Sequence, residues 1–221
     1  MTLLQVNDLT KHYGSLRAVD GVSFTLNAGE ILGVVGESGC GKTTLLRLIS
    51  GLEAADSGRI LLHGRPLTVR RTKADYRAMQ MIFQDAAGSF HPRRRIADSL
   101  EDSVRSLLGR DTPADIPALC AMVGLPPELA RRYPRDLSGG QCQRFAIARA
   151  MAVSPQLLLC DEITSALDVI SQARILELLR TLCRQNHMAA VFVSHDLAVV
   201  AGLCSRLLVM QNGRVIEQGE T

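Results

Sequence analysis

The apolar run ILGVV leads into Gly36-Glu37-Ser38-Gly39-Cys40-Gly41-Lys42-Thr43, and Thr44 then opens a segment, TLLRLIS, with helical spacing. This is G-x-x-x-x-G-K-[ST] between a strand and a helix. Bare backbone N–H groups of such a loop can surround phosphate oxygens, while Lys42 neutralises charge and the Thr43 hydroxyl ligates Mg²⁺. The plainer reading of the same residues is a glycine-rich turn with an exposed lysine. Three more strand-like runs end in polar groups. QLLLCDE ends in Asp161 and Glu162, AVFVSHD in His195, and MIFQD in Gln84. Asp161 suits a Mg²⁺ shell, and Glu162 can act on an attacking water as general base. Two acids after a strand also suit a solvated turn or a helix cap, and a lone histidine is often structural. Finally, LSGGQCQRFAIARA sets Ser138, Gly139, Gly140 and Gln141 at the mouth of an amphipathic helix. The pair of glycines is either a turn with Ser138 as cap, or an anion site of open N–H groups.

The elements that would hold these residues alternate along the chain. LLQVNDL, VSFTL, ILGVV, RILLHG, MIF, QLLLC, AAVFVS, RLLVM and GRVIEQG read as strands, several apolar on both faces. KTTLLRLIS, QCQRFAIARAMA, ISQARILELLRTLCRQN and DLAVVAGLC carry helical spacing between them. The expected fold is therefore α/β, with a mostly parallel sheet. Through about Leu26 the strands look like a meander, which predicts an N-terminal antiparallel β piece. Residues 85–136 show no convincing strand, but IADSLEDSVRSLL and DIPALCAMV are helical patterns separated by Pro-rich breaks. We expect a single domain over 1–221, with a core from 1–84 and 137–221 and a helical subdomain over 85–136. In open sheets of this kind ligands bind outside the carboxyl ends of the strands, where Lys42, Asp161, Glu162, His195 and Gln84 would converge.

Composition excludes some classes. Hydrophobic residues at 47% and charged residues at 21% describe an ordinary globular chain, whereas 4% aromatics and no Trp disfavour base-stacking platforms. A net charge of +3 is too small to argue for nucleic acid, and none is expected as a partner. No apolar run reaches the roughly 20 residues that span a bilayer, and the N-terminus lacks the order of a signal peptide. A cytosolic location follows as an expectation. The six cysteines stand singly, as small buried hydrophobes would, though Cys40 and Cys142 lie in glycine-rich stretches where reactivity is conceivable.

The order of GESGCGKT, FQD, LSGGQ, LLLCDE, SALD (Ser165 to Asp168) and Ser194-His195 resembles the nucleotide-binding subunit of ABC transporters over nearly the whole chain. The resemblance implies a P-loop NTPase core, ATP and Mg²⁺ as cofactors, and ATP hydrolysis. It implies that Lys42, Thr43 and Asp161 hold phosphate and Mg²⁺, that Gln84 senses them, that Glu162 activates water and that His195 stabilises the γ-phosphate. It also implies a head-to-tail pair of ATP-binding subunits, the same chain or a paralogue, in which Ser138, Gly139 and Gly140 of one close over nucleotide held by the other. Tyr13 would stack on adenine and Asp168 would lie in a loop crossing the interface, although a half-buried hairpin aromatic and a helix cap are their plainer roles. The implied partners are transmembrane permease subunits and, indirectly, an extracytoplasmic substrate-binding protein. The implied place is peripheral, on the cytoplasmic face of the membrane.

FQDAAGSFHPRRRIADSL and ESGCGKT are similar to the dipeptide, oligopeptide and nickel importer branch, with His91 where that branch commonly has Asn. The run Arg93-Arg94-Arg95 is either a solvated basic face or a docking patch for a permease loop. CDEITSALDVI, with Ile163 in place of the usual Pro, resembles members associated with nickel or metallophore uptake, so metal chelates and small peptides are the expected cargo. The chain stops at Gly219-Glu220-Thr221, and a long C-terminal extension seen in many oligopeptide-branch subunits is expected to be lacking. The alternatives are a soluble, non-transport ABC ATPase or the ATPase subunit of an exporter.

Overall fold

Leu157–Asp161 (β7) and Ala189–Ser194 (β8) are buried at every position, and their side chains alternate between two cores. Leu157, Leu159, Ala189, Val191 and Val193 face one core, while Leu158, Cys160, Ala190 and Phe192 face the other. Strands apolar on both faces must be covered on both sides. The computed structural model describes residues 1–221 and sets these two strands inside a six-stranded sheet. Its other members are Ile31–Val35 (β3), Met79–Ile82 (β6), Arg206–Gln211 (β9) and Arg214–Glu220 (β10), in the order β10-β9-β3-β8-β7-β6. Every neighbouring pair is parallel except β10 with β9. The loops that leave β3, β6, β7 and β8 therefore emerge along one edge.

The second sheet has four strands, Thr2–Tyr13 (β1), Leu16–Asn27 (β2), Ser57–Leu62 (β4) and Arg65–Pro66 (β5), in the antiparallel order β2-β1-β4-β5. It packs with Lys42–Ser50 (α1) against one face of the central sheet. Below the other face lie Ile96–Leu108 (α3), Ile116–Met122 (α4), Gly139–Met151 (α5), Val169–Gln185 (α6) and Leu197–Leu203 (α7). Residues 85–136 contain no strand, only α3, α4 and the 3₁₀ turns Pro127–Arg131 and Pro134–Asp136. Ile96, Leu100, Leu119 and Cys120 join the same core as Phe145 and Cys160.

Two expectations need correction, and one helix was not expected. RILLHG, read as one of the alternating α/β strands, instead enlarges the antiparallel sheet as β4, pairing Leu4 with Leu62 and Val6 with Ile60. An apolar run shows that a strand is half-buried but not which sheet completes it. The glycine pair does not precede its helix. Gly139 and Gly140 lie in the first turn of α5, with Ser138 as the N-cap. The helix Lys73–Ala78 (α2) was not expected at all, because it has too few apolar residues for an amphipathic stripe.

What fixes α2 is its cap. Thr72 Oγ1 accepts from Asp75 N at 3.2 Å, and the Asp75 carboxylate accepts from Thr72 N at 2.8 Å, a capping box. Arg65 also pairs with this carboxylate, which is 2% exposed. Burial opposes ionisation, but the bonds from Thr72 and Arg65 outweigh it and hold the Asp75 pKa below 3.8. Its contribution is therefore full above pH 3.8 and is lost as pH falls through the lower folded value. Asp75→Asn is expected to cost about 1–3 kcal/mol at pH 7. In urea melts the gap between variant and parent should shrink steadily below pH 3.8.

Candidate functional site

The loop after β3 is shaped by a glycine. Gly41 has φ +110°, and a Cβ there would collide with the Ala18 carbonyl, so the turn into α1 admits no side chain. No side chain caps α1 either, which leaves the N–H groups of its first turn directed into the loop. Inside that loop Lys42 is 4% exposed, and its ammonium donates to the carbonyls of Gly36 and Glu37, both at 2.8 Å. Cys40 is buried and fastens the loop to the β9–β10 turn, its carbonyl accepting from Gly213 N at 3.0 Å. Glu37 contributes only its backbone carbonyl to Lys42.

The ends of the other strands meet this loop. Thr43 Oγ1 donates to Asp161 Oδ1 at 2.9 Å. Asp161 is 5% exposed; burial raises its pKa, the Thr43 bond opposes that shift and the charge of Glu162 adds to it. Glu162 follows with φ +47°, a backbone conformation costly for a residue with a Cβ. Its Oε1 is 3.8 Å from Lys42 Nζ. Its Oε2 is 3.4 Å from His195 Nδ1 and accepts from Gln84 Nε2 at 3.4 Å. A cleft of about 260 Å³ is lined by Tyr13, Ser38, Gly39, Gly41, Lys42, Thr43, Thr44, Gln84 and Glu162. The half-exposed Tyr13 stands at its rim beside Glu53 and Thr44, where burial and the Glu53 bond raise its pKa.

The donor set is chemically selective. A hydroxyl and a carboxylate in contact are hard oxygen ligands of the kind Mg²⁺ takes when it keeps most of its waters. No cluster of His, Cys, Asp and Glu offers a softer site. The buried ammonium is held mainly by two carbonyls, with its one carboxylate 3.8 Å away, an environment that an anion would complete. The residues thus fit a polyphosphate with its metal.

Ser138, Gly139, Gly140 and Gln141 do not line this cleft. They open α5, where Ser138 Oγ accepts from Gln141 N at 3.3 Å and Gln141 Oε1 accepts from Ser138 N at 3.0 Å. A Cβ on Gly139 would touch only Leu167, at 3.6 Å, an ordinary contact. Nothing within this chain therefore demands a glycine there. Asp168 caps α6 by accepting from Ser171 N at 2.9 Å, and the bonds from Ser171 hold its carboxyl below the usual aspartate range. Its neighbours Val169 and Ile170 are exposed apolar residues. All six cysteines are free and buried. Burial raises the thiol of Cys142 and pushes those of Cys183 and Cys204 up to about 12, so these three are poor nucleophiles.

Two side chains beside the site had no role in the sequence: Ser165, which stood only within SALD, and Arg149. Ser165 Oγ donates to the Glu162 carbonyl at 2.9 Å and accepts from Gln84 Nε2 at 3.2 Å. Arg149 of α5 donates to Ser89 O at 2.7 Å and Ser89 Oγ at 3.0 Å, and lies over the Phe90 ring at 4.4 Å. A hydroxyl three residues past Glu162 was the one local signal available for these.

Residues 19–165 match the ABC transporter family. The chain is 44% identical, over 93% of its length, to the oligopeptide transport ATP-binding protein OppF of Haemophilus influenzae, and spans 64% of that relative. Among solved structures it superposes on cbiO1 of Clostridium perfringens, part of the ABC transporter complex cbiONQ. The TM-score is 0.86 at 26% identity, covering 99% of this chain and 88% of cbiO1. An ATP-binding cassette solved as a dimer in a post-hydrolysis state, bound to ADP and Pi, matches at TM-score 0.86 and 26% identity, covering 99% of this chain and 98% of that one.

Burial of the Asp161 carboxylate implies a stability cost at the site. Its folded pKa is raised above 3.8, so the cost is absent below pH 3.8 and grows as pH rises through the folded value. Asp161→Asn keeps an acceptor for Thr43 and is expected to raise the nucleotide-free Tm at pH 7 by about 2–4 °C. That gain should vanish below pH 3.8 in thermal melts.

Proposed function

The chain belongs to the ABC transporter family, and from that premise we propose that it is the ATP-binding and ATP-hydrolysing subunit of an importer whose cargo is oligopeptides. The observation that carries the hydrolysis reading is the meeting of four strand ends: Thr43 bonded to Asp161, and Glu162 set between Lys42, Gln84 and His195. Peptide cargo carries over from the 44% identity to OppF, whereas the metal-chelate alternative rests on the CDEITSALDVI stretch alone.

In this reading Lys42 and the loop N–H groups bind the β- and γ-phosphates, with Ser38, Gly39, Gly41 and Thr44 around them and Tyr13 against the base. Mg²⁺, when bound through Thr43, Asp161 and Gln84, would neutralise phosphate charge and orient the γ-phosphoryl group. Glu162 takes a proton from the attacking water as the new P–O bond forms and the bond to ADP breaks. His195 donates to a γ-phosphate oxygen, where negative charge is being redistributed. Positioning and charge stabilisation are most of what phosphoryl transfer requires, and this chain supplies one half of the enclosure.

A second chain, this one or a paralogue, would supply the other half. The exposed first turn of α5 supports that role, since open N–H groups with no side chain at Gly139 can approach a γ-phosphate closely. The exposed Val169 and Ile170 after Asp168 suit the same interface. No helix here is long and apolar enough to cross a membrane. By carry-over from the transport ATP-binding relatives, separate permease subunits would form the passage and this subunit would sit peripherally at the cytoplasmic face. A substrate-binding protein on the far side would deliver the peptide.

Glu162→Gln is expected to lower the ATPase kcat by about 10²–10⁴-fold while leaving ATP binding intact. The trapped complex should then double its mass in size-exclusion chromatography with light scattering only when ATP is present. A variant that hydrolyses ATP at the parent rate would remove Glu162 from the chemistry.

A further inference from the structure

Tyr13 is the last residue of β1 and pairs with Leu16 across the turn into β2, so its backbone is set and only its ring is left to be oriented. The ring is 43% exposed and lines the cleft with Lys42, Thr43 and Thr44. A tyrosine so exposed at a hairpin turn would ordinarily sample several rotamers. Its neighbours restrict it. Lys11, two residues earlier, holds its ammonium over one face of the ring, 5.6 Å from the centroid. The Tyr13 hydroxyl faces Glu53 and, in the first turn of α1, Thr44.

Lys11 is itself held in place. Its side chain is 15% exposed, and its ammonium donates to Asp56 Oδ1 at 3.2 Å and lies 4.0 Å from Glu53 Oε1. The Asp56 carboxylate also accepts from His12 N at 2.7 Å, and Asp56 N donates to Thr10 O at 2.9 Å. These bonds fasten the segment after α1 to the end of β1. Glu53 N donates to Arg47 O at 3.2 Å, so Glu53 doubles back beside the helix it follows. The Tyr13 ring thus stands inside a closed circuit of β1, residues 53–56 and α1. The same helix opens onto the phosphate loop, and a ring tied to α1 keeps a fixed relation to Lys42.

Lys11, Glu53 and Asp56 do not line the cleft. Their effect on a bound nucleotide must therefore pass through Tyr13. With the ammonium over one face, the opposite face is the one open to stack. Ordering a side chain before the ligand arrives spares the binding step that cost, a factor of about three to ten for one side chain.

We propose that Lys11, braced by Asp56 and Glu53, is a positioning residue that presents the Tyr13 ring to the base and so sets how much the base adds to the affinity of the phosphates. This role rests on the placement of Tyr13 against the base in the reading above.

Calorimetric titration with ADP and with pyrophosphate, each with Mg²⁺, isolates the base, because both carry a diphosphate and only one carries a nucleoside. The parent should bind ADP about fivefold or more tightly than pyrophosphate. Lys11→Met keeps most of the side-chain length but removes the charge. It should weaken ADP about threefold to tenfold and leave pyrophosphate unchanged, which also reports that the variant is folded. Lys11→Arg, which keeps a cation that can lie over the ring, should recover the ADP affinity. In a Tyr13→Leu background, Lys11→Met should cost ADP nothing further, since the ring it orders is gone. A lysine that only pins β1 to the following loop would weaken both ligands together, or weaken ADP by the same factor with and without the ring. Either result overturns the role, as does an ADP affinity that Lys11→Met leaves unchanged. A parent that binds pyrophosphate as tightly as ADP sinks the base contact of Tyr13 itself, and one that binds neither sinks the nucleotide reading.

Discussion

An ammonium buried to 4% exposure, with no carboxylate in hydrogen-bond contact, is the constraint around which this protein is organised. Lys42 is held by two backbone carbonyls in a loop that only glycine can close at Gly41. Taking a charge out of water is costly unless its donors are met and opposite charge is near. Here the carbonyls meet the donors, Glu162 stands at 3.8 Å, and the open N–H groups of α1 leave the loop short of negative charge. A triphosphate would supply that charge, which makes the buried lysine an account of ligand preference as well as of structure.

The remainder of the fold serves to keep that loop beside three other strand ends. Parallel pairing of β3, β8, β7 and β6 sets their outgoing loops on one edge, and the alternation of β7 and β8 between two cores fixes their register. Glu162 must then turn sharply to face Lys42, and it does so at φ +47°, a conformation that costs on the order of 1–3 kcal/mol. Ser165 holds that turn from below through the Glu162 carbonyl. Backbone strain and the burial of Asp161 both cost stability, so part of what the core supplies is given up to hold charged groups close together.

Much of this was legible in the sequence because it is local. The loop before Lys42, the acids after QLLLC and the histidine after AVFVS each announce themselves by an apolar run ending in a polar group, and IADSLEDSVRSLL marks α3 at its observed bounds. Membership of β4 in the antiparallel sheet was not legible, since its pairing partner β1 lies some 50 residues earlier. Nor was α2, whose stability comes from a cap rather than a stripe. The bond between Ser165 and Gln84 spans 81 residues, and no local pattern reports it. Gly139 is legible as a motif, but no contact within its own chain demands a glycine there.

The most direct test of the central claim is calorimetric titration of the parent with ATP, ADP and AMP in the presence of Mg²⁺, repeated with Lys42→Met. If the buried ammonium is a phosphate seat, ATP and ADP bind the parent, AMP does not, and the Lys42 variant loses the heat of both. If AMP binds as well as ATP, or if Lys42→Met binds ATP unchanged, the loop is not a polyphosphate site and the account fails at its foundation.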